Sequence, residues 1–351
     1  MIRRFVSAAA IAAASVAALT GEAPLKGLPT GAAARIVAIG DIHGSFDNFV
    51  AILTKAGLID ANRRWTGGKT VLVHTGDTTD RGPGVRDALD LLMALEKQAS
   101  SAGGKVHVVL GNHEVMNLVN DLRDVGAEAM DNFGGEAAYR AAFAKNGRYG
   151  KWLRSKPLLV EVDGTVFMHA GIDLEFSSDS LDALNKRVQR EIEEWDNGTR
   201  WLEEKKLIQP EARFVEIAAA ARAEVERLNA LAATDRSQLP PDAPKIAALL
   251  VPLANIHTSS LVHPQGPLWF RGFDTWSDGE GATRMAALLA HHRVKRFVTG
   301  HTVQKGGRIT ARFGGTLFLI DTGMLNGKFW PSGRPSALEL LPATTNLIYV
   351  E

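Results

Sequence analysis

Five short stretches of this chain carry the residue types of hydrolytic chemistry, and each contains glycine. They are Gly40-Asp41-Ile42-His43-Gly44, Gly76-Asp77-Thr78-Thr79-Asp80-Arg81-Gly82, Gly111-Asn112-His113-Glu114, His169-Ala170-Gly171 and Gly300-His301-Thr302. Carboxylate oxygens, amide carbonyls and imidazole nitrogens are the ligands that hard and borderline divalent cations take. Asp41, His43, Asp77, Asn112, His169 and His301 make such a set. Two ions about 3.5–4 Å apart clamp the attacking and leaving oxygens of an in-line displacement, and one carboxylate can bridge them. Asp77 is the natural bridge. Mixed oxygen and nitrogen ligands suit manganese, iron or zinc. Taken singly, an Asp-x-His or an Asn-His-Glu reads as a solvated turn or a cap; only a shared context makes the five into one site.

That context is the element before each stretch. Arg35-Ile36-Val37-Ala38-Ile39, Thr70 to Thr75, Val106 to Leu110, Thr165 to Met168 and Val294 to Thr299 are apolar runs of strand type. Helical spacing separates the early ones: Phe46, Phe49, Leu53 and Ala56 after Ser45, read as an N-cap, then Leu89, Leu92 and Leu95 between Gly84 and Ala99. Alternating strands and helices predict an α/β architecture. In such sheets, sites form beyond the carboxyl ends of the strands, which is where the five stretches lie. Two hairpins are predicted, one turning on Asp163-Gly164 and one joining Ile309–Phe313 to Leu317–Ile320 through Gly314-Gly315.

From Ser180 to about Ile256 the period changes. Leu181, Leu184, Val188, Ile192 and Trp195 recur at helical spacing, with Gly198 read as the end of that helix. A second helix opens at Pro210 and breaks at Pro240-Pro241, and a shorter third follows. We read this block, about residues 175–257, as a helical insertion in a domain covering 33–351. Its apolar stripe reads as packing; a lid or substrate platform is the sharper alternative.

Composition narrows the function. With 40 basic and 39 acidic residues, net charge +1, the chain carries no strong basic field of the kind that binds nucleic acid. The absence of cysteine excludes disulfides, thiolate metal sites and a cysteine nucleophile. Arg3 and Arg4 precede an apolar run from Phe5 to Leu19 that is short for a membrane span. Residues 1–20 therefore read as a secretory signal peptide, with an uncleaved anchor as the alternative. Export to a bacterial periplasm is expected, with no stable membrane association after cleavage.

The boxes Gly-Asp-x-His-Gly, Gly-Asp-x-x-Asp-Arg-Gly and Gly-Asn-His-Glu, in this order and spacing, resemble the phosphoprotein phosphatase family of metallophosphoesterases. The bacterial "Shewanella-like" branch is the most similar. Val115-Met116-Asn117, Asp121-Leu122-Arg123, Gly266-Pro267-Leu268-Trp269-Phe270-Arg271-Gly272 and Gly300-His301-Thr302 add to the likeness, which spans roughly residues 35 to 325. The resemblance implies a calcineurin-like αββα sandwich and two divalent ions. Asp41, His43 and Asp77 would hold the first ion, and Asp77, Asn112, His169 and His301 the second. It further implies direct attack on phosphorus by a hydroxide bridging the metals. His113 would protonate the leaving oxygen, Asp80 would orient His113, and Arg81 and Arg271 would bind phosphate oxygens. Glu114 would supply a hydrogen bond behind the ligands, and Thr78 and Thr79 would be spacers. The implied substrate is a phosphorylated protein, on tyrosine or on serine and threonine. A small phosphate ester, a dinucleoside polyphosphate and a non-catalytic binding module are the alternatives. Two departures bear on substrate preference: His169-Ala170-Gly171 replaces the His-Gly-Gly of eukaryotic Ser/Thr enzymes, and Ile320-Asp321-Thr322-Gly323 replaces their tyrosine-bearing loop.

Overall fold

The computed structural model describes residues 35–351 apart from position 328, so the expected signal peptide lies outside the described residues. The chain begins with β1 (Ile36–Ile39), α1 (Phe46–Lys55), β2 (Val71–His74), α2 (Val85–Ser101) and β3 (Lys105–Val108). Short helices follow: α3 (Asn112–Leu118), α4 (Ala127–Phe133), α5 (Glu136–Phe143) and α6 (Arg148–Arg154). After β4 (Leu159–Val162) and β5 (Thr165–Met168) come the long helices α7 (Leu181–Glu204), α8 (Phe214–Thr234) and α9 (Ala243–Ala254). The chain then makes α10 (Gly272–Thr275), α11 (Asp278–His292), β6 (Arg296–Thr299), β7 (Thr310–Arg312), β8 (Leu317–Leu319), β9 (Ser336–Leu340) and β10 (Thr345–Tyr349).

Two five-stranded sheets result, ordered β10-β9-β1-β2-β3 and β4-β5-β6-β8-β7. Side-chain alternation along the strands assigns each residue to a layer. Ile36, Ala38 and Val73 of the first sheet meet Phe167, Val298 and Phe318 of the second in one buried cluster. The opposite residues of the first sheet, Val37, Ile39 and Leu72, pack with Phe49, Ile52 and Leu53 of α1 and Leu92 and Leu95 of α2. Val166, Phe297 and Leu317 of the second sheet face a cluster with Met285 and Leu288 of α11 and with the long helices. Helix, sheet, sheet, helix is the calcineurin-like sandwich that the motifs implied. Full burial of a residue such as Phe167 contributes about 1.5–3 kcal/mol.

Both hairpins form as expected, with β4–β5 and β7–β8 antiparallel. The inner strands are parallel, β1–β2–β3 in one sheet and β5–β6–β8 in the other. Their carboxyl ends therefore open on a common edge of each sheet.

Several sequence expectations need correction. Gly198 does not end α7, which runs on to Glu204. A Cβ there would come within 2.6 Å of Leu253 Cδ1, so this glycine is a close contact between α7 and α9 rather than a stop. The second long helix starts at Phe214, not Pro210, and ends at Thr234, before the Pro-Pro pair. Ser45 stands at the N-cap of α1 but makes no side-chain cap; its hydroxyl donates to the Met324 carbonyl at 3.2 Å. The third strand stops at Val108, two residues short of the expected end.

Candidate metal centre

Four backbone turns at strand ends bring the predicted residues together. Asp41 and His43 follow β1, Asp77 follows β2, His169 follows β5 and His301 follows β6. Asn112 and His113 open α3, where Glu114 Oε2 accepts from the Gly111 amide at 2.9 Å and fixes the first turn. Side chains of Asp41, His43, Asp77, Asn112, His113, Asp80, His169 and His301 are all buried.

Ring orientation reveals what the site accepts. A carbonyl oxygen can only accept, so a ring nitrogen beside one must carry the proton. His43 Nδ1 lies 2.9 Å from the Thr79 carbonyl, and His169 Nδ1 lies 3.0 Å from that of Thr75. His301 is reversed: its Nε2 is 3.2 Å from the Trp269 carbonyl. In its neutral form, a ring so held turns a lone pair inward. His169 Nε2 then faces Asn112 Oδ1 at 2.8 Å, His301 Nδ1 at 3.0 Å and Asp77 Oδ2 at 3.3 Å. Four electron-pair donors converging within hydrogen-bond distance repel one another unless a cation lies among them. The donor set therefore fits a divalent metal, and the backbone bonds behind each imidazole are the orienting partners such ligands need.

Asp77 belongs to two such groups, His43–Asp77–His113 and Asp77–His169–His301. Its Oδ2 is 3.5 Å from His43 Nε2. Asp41 Oδ2 approaches His43 Nε2 to 3.9 Å. The geometry thus makes Asp77 the shared member, as expected, and brings together all six predicted ligands.

Charge states agree. Burial lowers His43 and His301 well below the ordinary imidazole range, which keeps each with one unprotonated ring nitrogen. Burial also pushes Asp41 well up, aided by the nearby carboxylates of Asp321 and Asp77, and raises Asp321 to about 6. For Asp77 burial is outweighed by the imidazoles of His169 and His113, which hold it well below the usual carboxylate range. For His113 burial is likewise outweighed, here by Asp77 and by Asp80, and the ring is raised to about 9. The Asp80 contact is direct, with His113 Nδ1 2.7 Å from Asp80 Oδ2.

Arg81 reaches His43 Nε2 at 2.7 Å and His113 Nε2 at 3.1 Å, and lies over the Trp330 ring at 5.0 Å. Arg271 is exposed beside the site, its guanidinium donating to the His301 carbonyl at 3.3 Å and to Thr302 Oγ1 at 3.1 Å. Glu114 sits behind the loop as expected. Its carboxylate accepts from the amides of Asp77 (2.7 Å), Thr78 (2.8 Å) and Thr79 (3.1 Å). Thr78 and Thr79 are more than spacers: Thr78 Oγ1 pairs with His74 Nε2 at 2.8 Å, and Thr79 Oγ1 donates to Glu114 at 3.2 Å.

Backbone strain marks the same place. His43, Asp77, Asp80, Arg81 and His301 hold φ of 46°, 58°, 69°, 66° and 68°. Each such non-glycine residue costs on the order of 1–3 kcal/mol and persists only where its surroundings over-determine it. Close approach explains two of the glycines: a Cβ on Gly111 would strike Asp77 Oδ1, and one on Gly300 would strike Asp41 Oδ1.

Sequence reasoning missed three neighbours. Asp321 is buried and its Oδ1 accepts from the Gly323 amide at 2.9 Å. It follows β8 as Asp41 follows β1, so the strand-end pattern pointed to it, but no glycine precedes it. Trp330 stacks near His43, with ring centroids 5.8 Å apart, and carries no motif. Asn117 hydrogen-bonds Asp80.

Comparison with known proteins decides the lineage. The model of the calcineurin-like phosphoesterases matches residues 34–305. The chain belongs to the calcineurin-like phosphoesterase family. Within it, the chain sides with the Shewanella-like branch of the phosphoprotein phosphatases. It is 34% identical over 162 residues to Shewanella-like protein phosphatase 1 of Plasmodium berghei, covering 45% of each chain. It is 43% identical over 99 residues to Shewanella-like protein phosphatase 2 of Arabidopsis thaliana, covering 28% of this chain and 25% of that one. The matches thus span less than half the length of these two relatives. Among solved structures, the cold-active protein-tyrosine phosphatase of a psychrophilic Shewanella superposes with a TM-score of 0.63 at 25% identity, over 91% of this chain and 81% of that one. Calcineurin-like phosphoesterases use two divalent ions, and the chain is a metal-dependent phosphatase.

Proposed function

We infer that the chain hydrolyses phosphorylated proteins, phosphotyrosine among them, with Asp41, His43, Asp77, Asn112, His169 and His301 holding two divalent ions. The observation that carries this is the extent of the structural likeness to the Shewanella protein-tyrosine phosphatase. At 91% of this chain it takes in more than half of the segment 181–254, whose residue Phe214 lines the cavity beside the site. Symmetrical bis(5'-nucleosyl)-tetraphosphatases, such as that of Neisseria gonorrhoeae, are similar over 44% of the chain, about the same share as the Plasmodium phosphatase, so a dinucleoside polyphosphate is the second reading and belongs in the test.

A cavity of about 760 Å³ supports the same reading. It is lined by Val115, Met116 and Trp269 next to the centre, by Phe214 of α8, and by Arg123 and Arg271. The cleft mixes these apolar side chains with Arg123, Arg271 and Arg284 and with the acidic Asp121, Asp173 and Glu175, and it has room for an aromatic side chain entering beside a phosphate.

The bound ions would supply an acidified water for attack and draw charge off the phosphate. Arg81 and Arg271 would grip the phosphate oxygens with their paired N–H groups. His113, with Nδ1 tied to Asp80, would present a proton at Nε2 to the leaving oxygen once Arg81, which lies 3.1 Å from that nitrogen, turns to the phosphate. Asp80 stabilises the charged ring and fixes its plane. Burial of Glu114 behind the loop holds Asp77 in register.

The experiment is a panel of phosphotyrosine, phosphoserine and phosphothreonine peptides beside diadenosine tetraphosphate, with added Mn²⁺ and with chelator. Metal-dependent release of phosphate from peptides is expected. Cleavage of the dinucleotide alone would refute the protein-phosphatase reading.

A further inference from the structure

His113 is set by Asp80, and Asp80 is itself set from behind. One of its oxygens, Oδ2, meets His113 Nδ1 at 2.7 Å. Asn117 Nδ2 donates to the other, Oδ1, at 2.7 Å, and Tyr139 Oη donates to it at 3.4 Å. All three residues are buried, and Asp80 is fully so.

The amide of Asn117 has only one sensible orientation. The same Nδ2 also lies 2.8 Å from the His113 carbonyl and 3.3 Å from Thr79 Oγ1. A carboxylate and a carbonyl both require a donor, so the NH₂ end must face them. The other end pays for it: Asn117 Oδ1 is buried without a hydrogen-bond partner. Asp80 also holds a strained backbone, φ 69°, so its carboxylate needs an external hold on both oxygens.

We propose that Asn117 is a positioning residue for the proton donor: it locks Asp80 Oδ1, so that Oδ2 keeps the His113 ring aimed at the leaving oxygen. The side-chain hydrogen bonds of Asn117 go to Asp80, His113 and Thr79, none of which is among the six metal-ligand residues. The proposal rests on His113 acting as the acid. It does not depend on whether the natural substrate is a protein.

Leaving-group chemistry separates positioning from general damage. A p-nitrophenolate departs readily without a proton, whereas phenolate needs one. In the manganese-loaded enzyme, Asn117→Ala should lower kcat on phenyl phosphate about ten-fold or more, and on p-nitrophenyl phosphate less than about three-fold. His113→Ala should show the same selectivity, more strongly. In the zinc-loaded enzyme, the downfield Nδ1 proton signal of His113, identified by its loss in His113→Ala, should move upfield or disappear in Asn117→Ala. If Asn117→Ala fails to fold, Asn117→Leu, of similar shape but with no donor for Asp80, carries the test. Equal losses on both substrates, a change confined to KM, or an unmoved proton signal would overturn the proposal. Lack of selectivity in His113→Ala itself would sink the acid assignment and the role of Asn117 with it, leaving the peptide panel to judge the phosphatase reading.

Discussion

Glu114→Gln is the sharpest perturbation that the loop offers. The Glu114 carboxylate is fully buried. Its Oε2 accepts from the amides of Asp77 and Gly111, and its Oε1 from those of Thr78 and Thr79 and from the Thr79 hydroxyl. Replacing one oxygen by NH₂ keeps the shape and reverses the polarity of one end. Whichever way the new amide turns, two backbone N–H groups then face a donor. Each buried, unsatisfied amide costs about 1–3 kcal/mol, so the substitution should destabilise by about 2–6 kcal/mol. Relief of repulsion between Glu114 and Asp77 works the other way, but cations held by Asp77 would already neutralise it, so the lost hydrogen bonds win. Against a total of about 5–15 kcal/mol, the loss is large without being fatal. The displaced amides are those of Asp77 and Gly111 if the NH₂ takes the Oε2 side, or those of Thr78 and Thr79 next to Asp77 if it takes the Oε1 side, so in either case the Asp77 loop shifts and metal affinity should fall about 10- to 100-fold. Urea denaturation and metal titration measure the two effects. A variant with wild-type midpoint and wild-type metal affinity would refute the view that Glu114 holds Asp77 in place.

Chelation should stabilise nothing and cost much: at a free ion concentration 1,000 times the dissociation constant, each site contributes about 4 kcal/mol that chelator removes, read as a fall in melting temperature. Gly198→Ala should lose stability, because a Cβ within 2.6 Å of Leu253 in a filled interface costs about 1–3 kcal/mol and helix propensity returns only about 1; a higher urea midpoint would refute this. His107, lowered to about 4 by burial and then by Lys105 and Lys156, is protonated in the unfolded chain near pH 6.5 but not in the fold. The stability it contributes is therefore present above pH 6.5 and lost as pH falls toward 4, by about 1 kcal/mol after allowing for its partial exposure. Between pH 7 and pH 5 the urea midpoint of His107→Gln should fall less than that of the wild type.

The metal set was legible because it needs only residue type and strand ends. Parallel strands put their carboxyl ends on one edge, so five glycine-bearing turns after five apolar runs had to converge. What stayed hidden was structure that carries no period. The short helices α3–α6 span seven or eight residues each, too few to show a periodic stripe. Strands β9 and β10 cover the outer side of β1, beyond the last motif. Gly198 read as a stop because a glycine in a helix usually weakens it; only the neighbouring helix reveals why the close contact requires it. Asp321 was passed over because it was weighed as a missing loop feature rather than as a strand end. Asn117 lay in a recognised stretch, but its partner, Asp80, is 37 positions away.

The ligand set draws on both halves of the sandwich. Asp41, His43, Asp77 and Asn112 hang from the first sheet, and His169 and His301 from the second. Ions held among them would act as a clasp across the seam whose filling is Phe167, Val298 and Leu338. Ion departure and parting of the sheets would then be linked events. A core change far from the chemistry, such as Val298→Ala, should reach the centre as a faster metal off-rate, and metal exchange becomes a gauge of how tightly the two leaves are shut.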